Sequence, residues 1–179
     1  MKVDNSWTLF LDRDGVINKE LPGDYVKRWD EFHFEPGVLL ALAELSKLFP
    51  LIIIITNQRG VGIGRMTEDD LKLLHDKMCN EINKAGGRID DVFYCIDVDR
   101  KSPNRKPRPA MGLMAKEKYP AIDFSKTIMV GNSPSDMEFG RALGMINVFI
   151  DDKKSRNGHK DETMDYIYNG LDSFVESLR

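Results

Sequence analysis

The segment WTLFLDRDGVIN, residues 7–18, joins a short apolar run to two acidic side chains and a glycine. The acids, Asp12 and Asp14, are two positions apart, and successive side chains on a strand alternate between its two faces. On a strand the two carboxylates would therefore point the same way. Ligands of open α/β sheets bind just beyond the carboxyl ends of the strands. The segment indicates a reactive pair of acids or, because Asp and Gly are common in turns, an ordinary solvated turn.

Apolar runs alternate with helical patterns along the remaining chain. The candidate strands are residues 8–11, 51–56, 92–96, 127–130 and 147–150. The candidate helices are residues 37–48, 67–84, 110–118 and 134–144, and residues 165–178 indicate a short strand and a closing helix. This order of elements predicts an α/β fold, a three-layer sandwich in which helices cover both faces of a parallel sheet.

Polar side chains follow four of the predicted strands at their carboxyl ends. They are Asp12 and Asp14 after the first strand, Thr56, Asn57 and Gln58 at the second, Arg105 and Lys106 after the third, and Asn132 and Asp136 after the fourth. Carboxylates, a hydroxyl, a lysine and a further acid suit the task of holding and transferring a phosphoryl group. This combination favours the reactive interpretation of the first segment.

The interpretation gives four residues catalytic roles. Asp12 attacks phosphorus, and Asp14 protonates the leaving oxygen and then activates water. Thr56 donates a hydrogen bond to a phosphoryl oxygen, and Lys106 offsets the developing negative charge. Mg²⁺ bridges carboxylate and phosphate oxygens and neutralises their charge.

With these motifs in this order, the sequence resembles the haloacid dehalogenase superfamily, in its DxD phosphatase branch. DRDGVIN, TNQ and RKP, together with Tyr25 and Val26, resemble most closely the subfamily of histidinol-phosphatases and D-glycero-D-manno-heptose 1,7-bisphosphate 7-phosphatases. The resemblance implies a Rossmann-like sheet in a single domain over residues 1–179. It also implies a capless enzyme, because the segments between the motifs leave no room for a sizeable cap. Residues 19–35 and 96–104 are then expected to shape the entrance.

The predicted strand order is 3-2-1-4-5. Asp12 and the loop 132–136 must share one cation, so their strands are expected to be neighbours where the strand order reverses. The resemblance implies that the metal ligands are Asp12, Asp14, Asn132 and Asp136, with Asp136 as a direct or an indirect partner. The family usually has Asp at the position of Asn132. An amide oxygen can still bind Mg²⁺, but a negative charge is lost, so weaker binding is expected.

Members of the subfamily often carry a structural zinc loop. Here Cys95 remains, but Asp97, Ser102 and Asn104 stand at the other ligand positions. One thiol cannot build a tetrahedral zinc site, so no zinc is predicted.

The resemblance also implies which residues bind substrate: Asn57, Gln58, Arg59, Arg65 and Arg105. The segment 59–65 departs from the family pattern, since Ile63 holds the usual arginine position, and this leaves Arg59 and Arg65 available to a second anionic group. The glycines of this segment predict a flexible turn beside the site. His75 falls in a predicted helix and is expected on its surface or boundary.

Composition argues against several other classes of protein. The formal net charge of −3 over 179 residues argues against broad binding to nucleic acid. The longest apolar run, residues 48–55, is too short to span a membrane. Cys79 and Cys95 form no metal-spaced set and are expected to be reduced, in a cytoplasmic protein that is a monomer or a small homo-oligomer. Residues 151–162 are expected to form a mobile surface loop, with surface charge at 153–160.

The leading hypothesis is a Mg²⁺-dependent phosphomonoesterase that acts on a small phosphorylated metabolite through an aspartyl phosphate. A heptose or other sugar bisphosphate is preferred as the substrate over histidinol phosphate. Asn132 and the altered segment 59–65 motivate a hypothesis of a different class, a catalytically weak relative that binds a phosphorylated ligand or a protein partner.

Overall fold

The computed structural model describes residues 2–151 and 162–179. These residues form an α/β sandwich in which a parallel sheet separates two layers of helices. Most of the predicted loop 151–162 and all of the charged run 153–160 lie outside the described residues. None of the helices described is long and apolar enough to cross a membrane.

The sheet has six strands in the described chain. They are β1 (Thr8–Leu11), β2 (Leu51–Asn57), β3 (Asp91–Cys95), β4 (Thr127–Gly131), β5 (Ile146–Ile150) and β6 (Tyr166–Tyr168). Their order is β3-β2-β1-β4-β5-β6 with parallel pairing throughout, so the predicted order 3-2-1-4-5 is confirmed and β6 adds to the edge of β5. The central strands are buried on both faces, which explains their unbroken apolar runs.

Within the described residues, six α-helices connect or follow the strands. They are α1 (Val38–Leu48), α2 (Arg59–Gly62), α3 (Glu68–Lys84), α4 (Ala110–Lys118), α5 (Pro134–Leu143) and α6 (Leu171–Ser177). α3 begins at a capping box, in which the Thr67 hydroxyl accepts from the Asp70 N–H and the Asp70 carboxylate accepts from the Thr67 N–H. Pro134 begins α5, where its missing N–H is not needed.

Residues 59–62 form the short helix α2, so the prediction of a flexible turn was wrong here. The glycines of this helix allow close packing. A Cβ atom at Gly62 would lie 2.1 Å from the Ile96 carbonyl oxygen, and one at Gly60 would lie 2.9 Å from the Tyr25 side chain. Any larger residue at either position would push α2 away from its neighbours.

Alternate side chains of the strands enter two separate cores. On β1, Leu9 and Leu11 pack with residues of α1, α3 and α6, whereas Phe10 packs with residues of α4 and α5. This alternation follows from the two-residue period of a strand. The predicted three-layer arrangement is therefore confirmed.

An aromatic cluster anchors the long segment between β1 and α1. The rings of Trp29 and Phe32 stack with centroids 5.0 Å apart, and Phe34 meets Phe32 edge-on at 5.1 Å. Phe32 is buried in the core. Apart from loops, the described chain forms one short 3-10 helix, Trp29–Glu31, and α1 between β1 and β2, and it forms α2, α3 and β3 between Asn57 and Lys106. The fold is therefore capless, as predicted.

The parallel register brings the carboxyl ends of three strands together. Leu11 pairs with Ile54 of β2 on one side and with Val130 of β4 on the other. The Asp12 N–H donates to the Val130 carbonyl at 2.9 Å and extends this pairing by one residue. Polar residues that follow β1, β2 and β4 consequently meet at one edge of the sheet.

Candidate active site

A cavity of about 390 Å³ opens at this edge of the sheet. The predicted site residues that line it are Asp12, Asp14, Thr56, Asn57, Arg105, Lys106, Asn132 and Asp136. Residues 20–26 form another part of the wall, as expected of the first entrance loop, whereas no residue of 96–104 lines the cavity. Side chains from four separate strand ends thus share one space.

Lys106 is a buried cation held between two carboxylates. Its Nζ lies 3.0 Å from Asp12 Oδ1 and 2.5 Å from Asp136 Oδ1, and it donates to the Ile55 carbonyl at 2.7 Å. Burial lowers the pKa of Lys106, but the two carboxylates outweigh this effect, so its pKa lies above its usual value. The side chain therefore remains a cation at neutral pH.

Asp12 is nearly buried at the end of β1. Burial and the neighbouring charge of Asp136 raise the pKa of Asp12 to about 7, although Lys106 acts in the opposite direction. A carboxyl with this pKa is only partly ionised near neutral pH. A second cation beside it would favour the ionised form.

The Asn57 side chain holds the backbone of Lys106. Asn57 Oδ1 accepts from the Lys106 N–H at 3.0 Å, and Asn57 Nδ2 donates to the Lys106 carbonyl at 3.2 Å. Asn57 was predicted to bind substrate. That role stays a prediction, and in this structure its amide fixes the peptide that carries the buried cation.

Asp136 is completely buried in the first turn of α5. Its Oδ2 accepts hydrogen bonds from the Asn132 N–H, the Ser133 N–H and the Ser133 hydroxyl at 3.2, 3.0 and 2.7 Å, while Oδ1 faces Lys106. Protein groups contact both oxygens of Asp136. The geometry therefore favours an indirect role of Asp136 in metal binding over direct coordination of the metal. Asp136 supports Lys106 and the loop that carries Asn132.

Asp14 accepts four hydrogen bonds in the described conformer. Arg13 Nη2 donates to both carboxylate oxygens at 2.8 and 2.9 Å, Asn18 Nδ2 donates to Oδ1 at 2.9 Å, and Gln58 Nε2 donates to Oδ2 at 2.8 Å. Burial by itself raises the pKa of Asp14, but Arg13 and the other donors together hold it below its usual value. This conformer therefore carries an ionised carboxylate.

Gln58 connects Asp14 with Thr56. Gln58 Nε2 also donates to Thr56 Oγ1 at 3.0 Å, so the hydroxyl proton of Thr56 stays available to an acceptor in the cavity. Gln58 is buried. Gln58 was predicted to contact substrate, which stays a prediction, and in this structure it orients two predicted catalytic side chains.

Asn132 contributes a buried oxygen that suits a metal. Its Oδ1 has no hydrogen-bond partner among the residues that the structure describes. Gly15 makes room for it, since Gly15 has a φ of 80° and a Cβ there would lie 1.9 Å from Asn132 Nδ2. The predicted donors are the Asp12 carboxylate, the Asp14 backbone carbonyl and the Asn132 amide oxygen. All three are oxygens, which fits Mg²⁺.

A metal at this site would depend on mixed donors. Within residues 2–151 and 162–179, no group of three or more His, Cys, Asp or Glu side chains could hold a metal ion. Carboxylate, carbonyl and amide oxygens together are compatible with Mg²⁺, which keeps several water ligands when it binds to proteins.

The three predicted arginines differ in their placement. Arg105 lines the cavity, and its Nη1 donates to the Asp97 carbonyl at 3.3 Å. Arg59 begins α2 and Arg65 follows it at an exposed position, and neither lines the cavity. Substrate binding by Arg59 and Arg65 therefore has no support in this conformation.

Hydrogen bonds occupy the loop where the resemblance would place zinc. The Ser102 hydroxyl donates to the Asp97 carboxylate and accepts from the Asn104 N–H at 3.2 Å. Cys95 is a buried free thiol, and Cys79 is a partly buried free thiol. Ser102 thus contacts Asp97 and Asn104 directly, and these three residues stand where the subfamily usually has zinc ligands.

Three polar residues of the site were not predicted from the sequence: Arg13, Asn18 and His75. His75 was expected on the surface or boundary of its helix, which was wrong, because it is buried and its Nε2 lies 3.1 Å from Arg13 Nη1. The available signal was Arg13 itself, a charge at the end of a buried strand that requires partners. Its contact with His75, 62 residues away, leaves no trace in a single sequence.

Comparisons with known proteins identify the family to which this chain belongs. The family model described as HAD-hydrolase-like matches residues 103–174. A D-glycero-alpha-D-manno-heptose-1,7-bisphosphate 7-phosphatase of Mycobacterium bovis is 38% identical over 135 residues, which are 75% of this chain and 71% of the relative. The chain therefore belongs to the haloacid dehalogenase-like family of phosphatases.

Further relatives narrow the class. The D-glycero-beta-D-manno-heptose-1,7-bisphosphate 7-phosphatase of Escherichia coli K12 is 29% identical over 180 residues, 96% of this chain and 93% of the relative. A crystal structure of the D,D-heptose 1,7-bisphosphate phosphatase of B. bronchiseptica, complexed with magnesium and phosphate, aligns with a TM-score of 0.85 at 29% identity and covers 96% of this chain and 97% of its own. These relatives are heptose bisphosphate phosphatases, and the histidinol-phosphatase alternative is not supported.

Proposed function

We propose that this chain is a Mg²⁺-dependent phosphomonoesterase that removes the 7-phosphate of D-glycero-D-manno-heptose 1,7-bisphosphate. The observation that carries the proposal is the pairing of Asp12 with Lys106, 3.0 Å apart in the cavity, in a chain whose relatives are named for this activity. Relatives named for the α-anomer and for the β-anomer both match, so both anomers are included in the assay below.

In the first half-reaction Asp12 acts as the nucleophile. One of its carboxylate oxygens attacks the phosphorus of the 7-phosphate, the bond between phosphorus and the sugar oxygen breaks, and an aspartyl phosphate forms. The leaving sugar oxygen takes a proton from Asp14. For this step Asp14 must carry a proton and leave the donors that hold it in the described conformer.

In the second half-reaction Asp14 acts as the base. It takes a proton from water as the water oxygen attacks phosphorus, the bond between phosphorus and Asp12 breaks, and inorganic phosphate is released. The described conformer supports this role, because four donated hydrogen bonds and a lowered pKa keep Asp14 ionised.

Lys106 and Thr56 stabilise the phosphoryl group during both half-reactions. Lys106 is a buried cation beside the carboxylate of Asp12, its pKa lies above its usual value, and a charge in such a position offsets the developing negative charge without reorganisation. The Thr56 hydroxyl, oriented by Gln58, donates to a phosphoryl oxygen.

The proposed Mg²⁺ ligands are Asp12, the backbone carbonyl of Asp14 and Asn132. When bound, Mg²⁺ supplies positive charge that neutralises phosphoryl oxygens and favours the ionised form of Asp12. The buried Asn132 Oδ1, which lacks a hydrogen-bond partner in the described chain, supports this assignment. Because Asn132 is neutral, we propose that Mg²⁺ binds more weakly than it would to a carboxylate at this position.

Arg105 is the proposed contact for an anionic group of the substrate. It lines the cavity, and its hydrogen bond to the Asp97 carbonyl fixes the side chain there. Glu20 and Asp24 line another part of the cavity, and we propose their carboxylates as acceptors for sugar hydroxyls, although Asp24 also pairs with Lys27.

The loop that carries Asp97 and Ser102 is proposed to be free of zinc. The hydrogen bonds of Ser102 to Asp97 and Asn104 support this proposal, since they close the loop without a metal. We further propose a cytoplasmic, single-domain protein over residues 1–179 that is a monomer or a small homo-oligomer and binds no nucleic acid. The free thiols and the net charge of −3 support these assignments.

An assay over a substrate panel tests the proposal. The panel contains both anomers of the heptose 1,7-bisphosphate, other sugar phosphates and histidinol phosphate, each with and without Mg²⁺, and the Asp12→Asn variant controls for contaminating phosphatase. The expected result is Mg²⁺-dependent release of phosphate from a heptose bisphosphate by the wild type alone. Tight binding of these phosphates without turnover would favour the weak or inactive relative that Asn132 suggests.

A further inference from the structure

Arg13 connects Asp14 with a histidine on a different element. Arg13 is almost completely buried, and its Nη2 donates to both oxygens of Asp14 at 2.8 and 2.9 Å. Its Nη1 lies 3.1 Å from Nε2 of His75, which is buried in α3. The three side chains form a continuous hydrogen-bonded series from α3 to the candidate acid and base.

The hydrogen-bond chemistry of Arg13 defines the role of His75 in their contact. An arginine has five N–H donors and no acceptor, so the contact with His75 requires that Arg13 donates and Nε2 accepts. The proton of a neutral His75 then resides on Nδ1. In the described residues the guanidinium of Arg13 has two acceptors, the Asp14 carboxylate on Nη2 and the neutral His75 on Nη1, whereas its Nε has none. A buried cationic N–H that loses its acceptor would drive the guanidinium to another position.

His75 is itself firmly positioned. Its ring packs against Tyr94 of β3 with centroids 5.8 Å apart, and its neighbours Leu74 and Met78 on α3 are buried in the core. Burial, followed by the charge of Arg13, lowers the pKa of His75 to about 3, which keeps Nε2 available as an acceptor at neutral pH. A rigid helix thereby fixes the acceptor that orients Arg13.

We propose that His75 is a positioning residue for the phosphatase reaction, which acts through Arg13 to fix the conformer in which Asp14 accepts the proton of water. The inference rests on the proposed function of Asp14 and adds a residue to it. His75 contacts neither substrate nor reacting atoms. Its removal is expected to slow the hydrolysis of the aspartyl phosphate, in which Asp14 is the base, and to leave the attack of Asp12 unchanged.

The test compares His75→Leu, which has no acceptor, with His75→Gln, whose amide oxygen can accept from Arg13. Leu74→Ala is the control for loss of packing on the same helix. With a heptose bisphosphate, His75→Leu is expected to lower kcat per folded molecule by about tenfold or more, with KM within about twofold of wild type. With 4-nitrophenyl phosphate, whose leaving group needs no proton, rapid quench should show an unchanged phosphorylation rate and an accumulated phosphoenzyme. His75→Gln should restore most of the lost rate.

Three outcomes would overturn the inference. The first is that kcat of His75→Leu per folded molecule equals that of wild type while only stability falls, as expected for Leu74→Ala. The second is that His75→Gln is as slow as His75→Leu, since the acceptor would then be irrelevant. The third is an unaltered Arg13 side-chain signal in ¹⁵N spectra of His75→Leu. If the wild type hydrolyses no phosphate ester, the proposed function fails, and so does the catalytic role of His75. The ¹⁵N spectra would still decide whether His75 holds Arg13.

Discussion

The ammonium group of Lys106 lies 3.0 Å from the carboxylate of Asp12, although the two residues follow different strands. On its other side it lies 2.5 Å from Asp136. One cation thus serves two buried carboxyl groups. This arrangement leaves Asp12 as an acid whose ionisation depends on the cations around it.

Replacing Lys106 by Met is expected to remove most activity and to change how stability depends on pH. Without the cation, Asp12 would be buried beside Asp136 with no compensating charge, and the pKa of Asp12 in the folded state would rise further above that in the unfolded state. Groups with a raised folded-state pKa stabilise the protein at low pH and lose that contribution as pH rises. The variant should therefore lose about 3–5 kcal/mol at pH 8 and clearly less at pH 5, as measured by urea unfolding.

Lys106→Arg is the matched control for that experiment, because it keeps the charge and changes only the shape of the cation. It should be destabilised to a similar extent at both pH values. Equal losses at pH 5 and pH 8 in the Met variant would show that Lys106 does not compensate the two carboxylates.

Asn132→Asp is expected to lower the Mg²⁺ concentration needed for half-maximal rate. The substitution adds a full negative charge beside a proposed metal position, and an effect of about tenfold is reasonable for that change. The measurement is a Mg²⁺ titration of the rate at saturating substrate. Ser135→Asp, which adds the same charge elsewhere on the cavity wall, is the control. A requirement that is unchanged or higher in Asn132→Asp would exclude Asn132 as a ligand.

Asp14→Asn is expected to be slow in a manner that depends on the leaving group. With the sugar phosphate the rate should fall by about 100-fold or more, because the leaving oxygen and the attacking water lose their proton partner. With an aryl phosphate, phosphorylation of Asp12 should be nearly normal and its hydrolysis slow. Single-turnover measurements with both substrates separate these steps. Equal losses of the phosphorylation rate with both substrates would contradict the acid role of Asp14.

The buried His75 is expected to make the folded state less stable in mild acid. Its pKa is about 3 in the folded protein and 6.5 in its usual state, so the unfolded chain binds more protons between these values. The contribution of neutral His75 to the free energy of unfolding is therefore fully present above pH 6.5. It decreases as pH falls, by up to about 1.4 kcal/mol per pH unit. The measurement is the free energy of unfolding of wild type minus that of His75→Gln, from pH 7 to pH 5. A difference that does not change with pH would contradict a neutral, buried His75.

Much of the fold follows from local sequence patterns. The strands β1, β2 and β4 are continuous apolar runs because both of their faces are buried, and such runs are visible in one sequence. The helix α2 was missed, since its two glycines disfavour a helix by their intrinsic propensity and are explained only by contacts with Ile96 and Tyr25. Tertiary packing, and not local propensity, makes residues 59–62 helical.

The candidate site also has a part that follows from the sequence and a part that does not. Asp12, Asp14, Thr56 and Lys106 were predicted because each follows a strand and carries the chemistry of phosphoryl transfer. The interactions that hold them are long-range and were not predicted. Asn57 holds the Lys106 backbone and Gln58 holds Asp14, so two side chains predicted to contact substrate also orient other residues of the site. Sequence spacing indicates which residues share an edge of the sheet, but it does not indicate which atoms they donate to.

The central claim is that Asp12 becomes phosphorylated during turnover. The most direct measurement is rapid acid quench of the wild type with ³²P-labelled heptose bisphosphate and Mg²⁺, followed by mass spectrometry of the labelled peptide. The account predicts a transient aspartyl phosphate on Asp12 that is absent from Asp12→Asn, which should also show no turnover. Turnover at a normal rate by Asp12→Asn, or a phosphoryl group on any residue other than Asp12, would contradict the account.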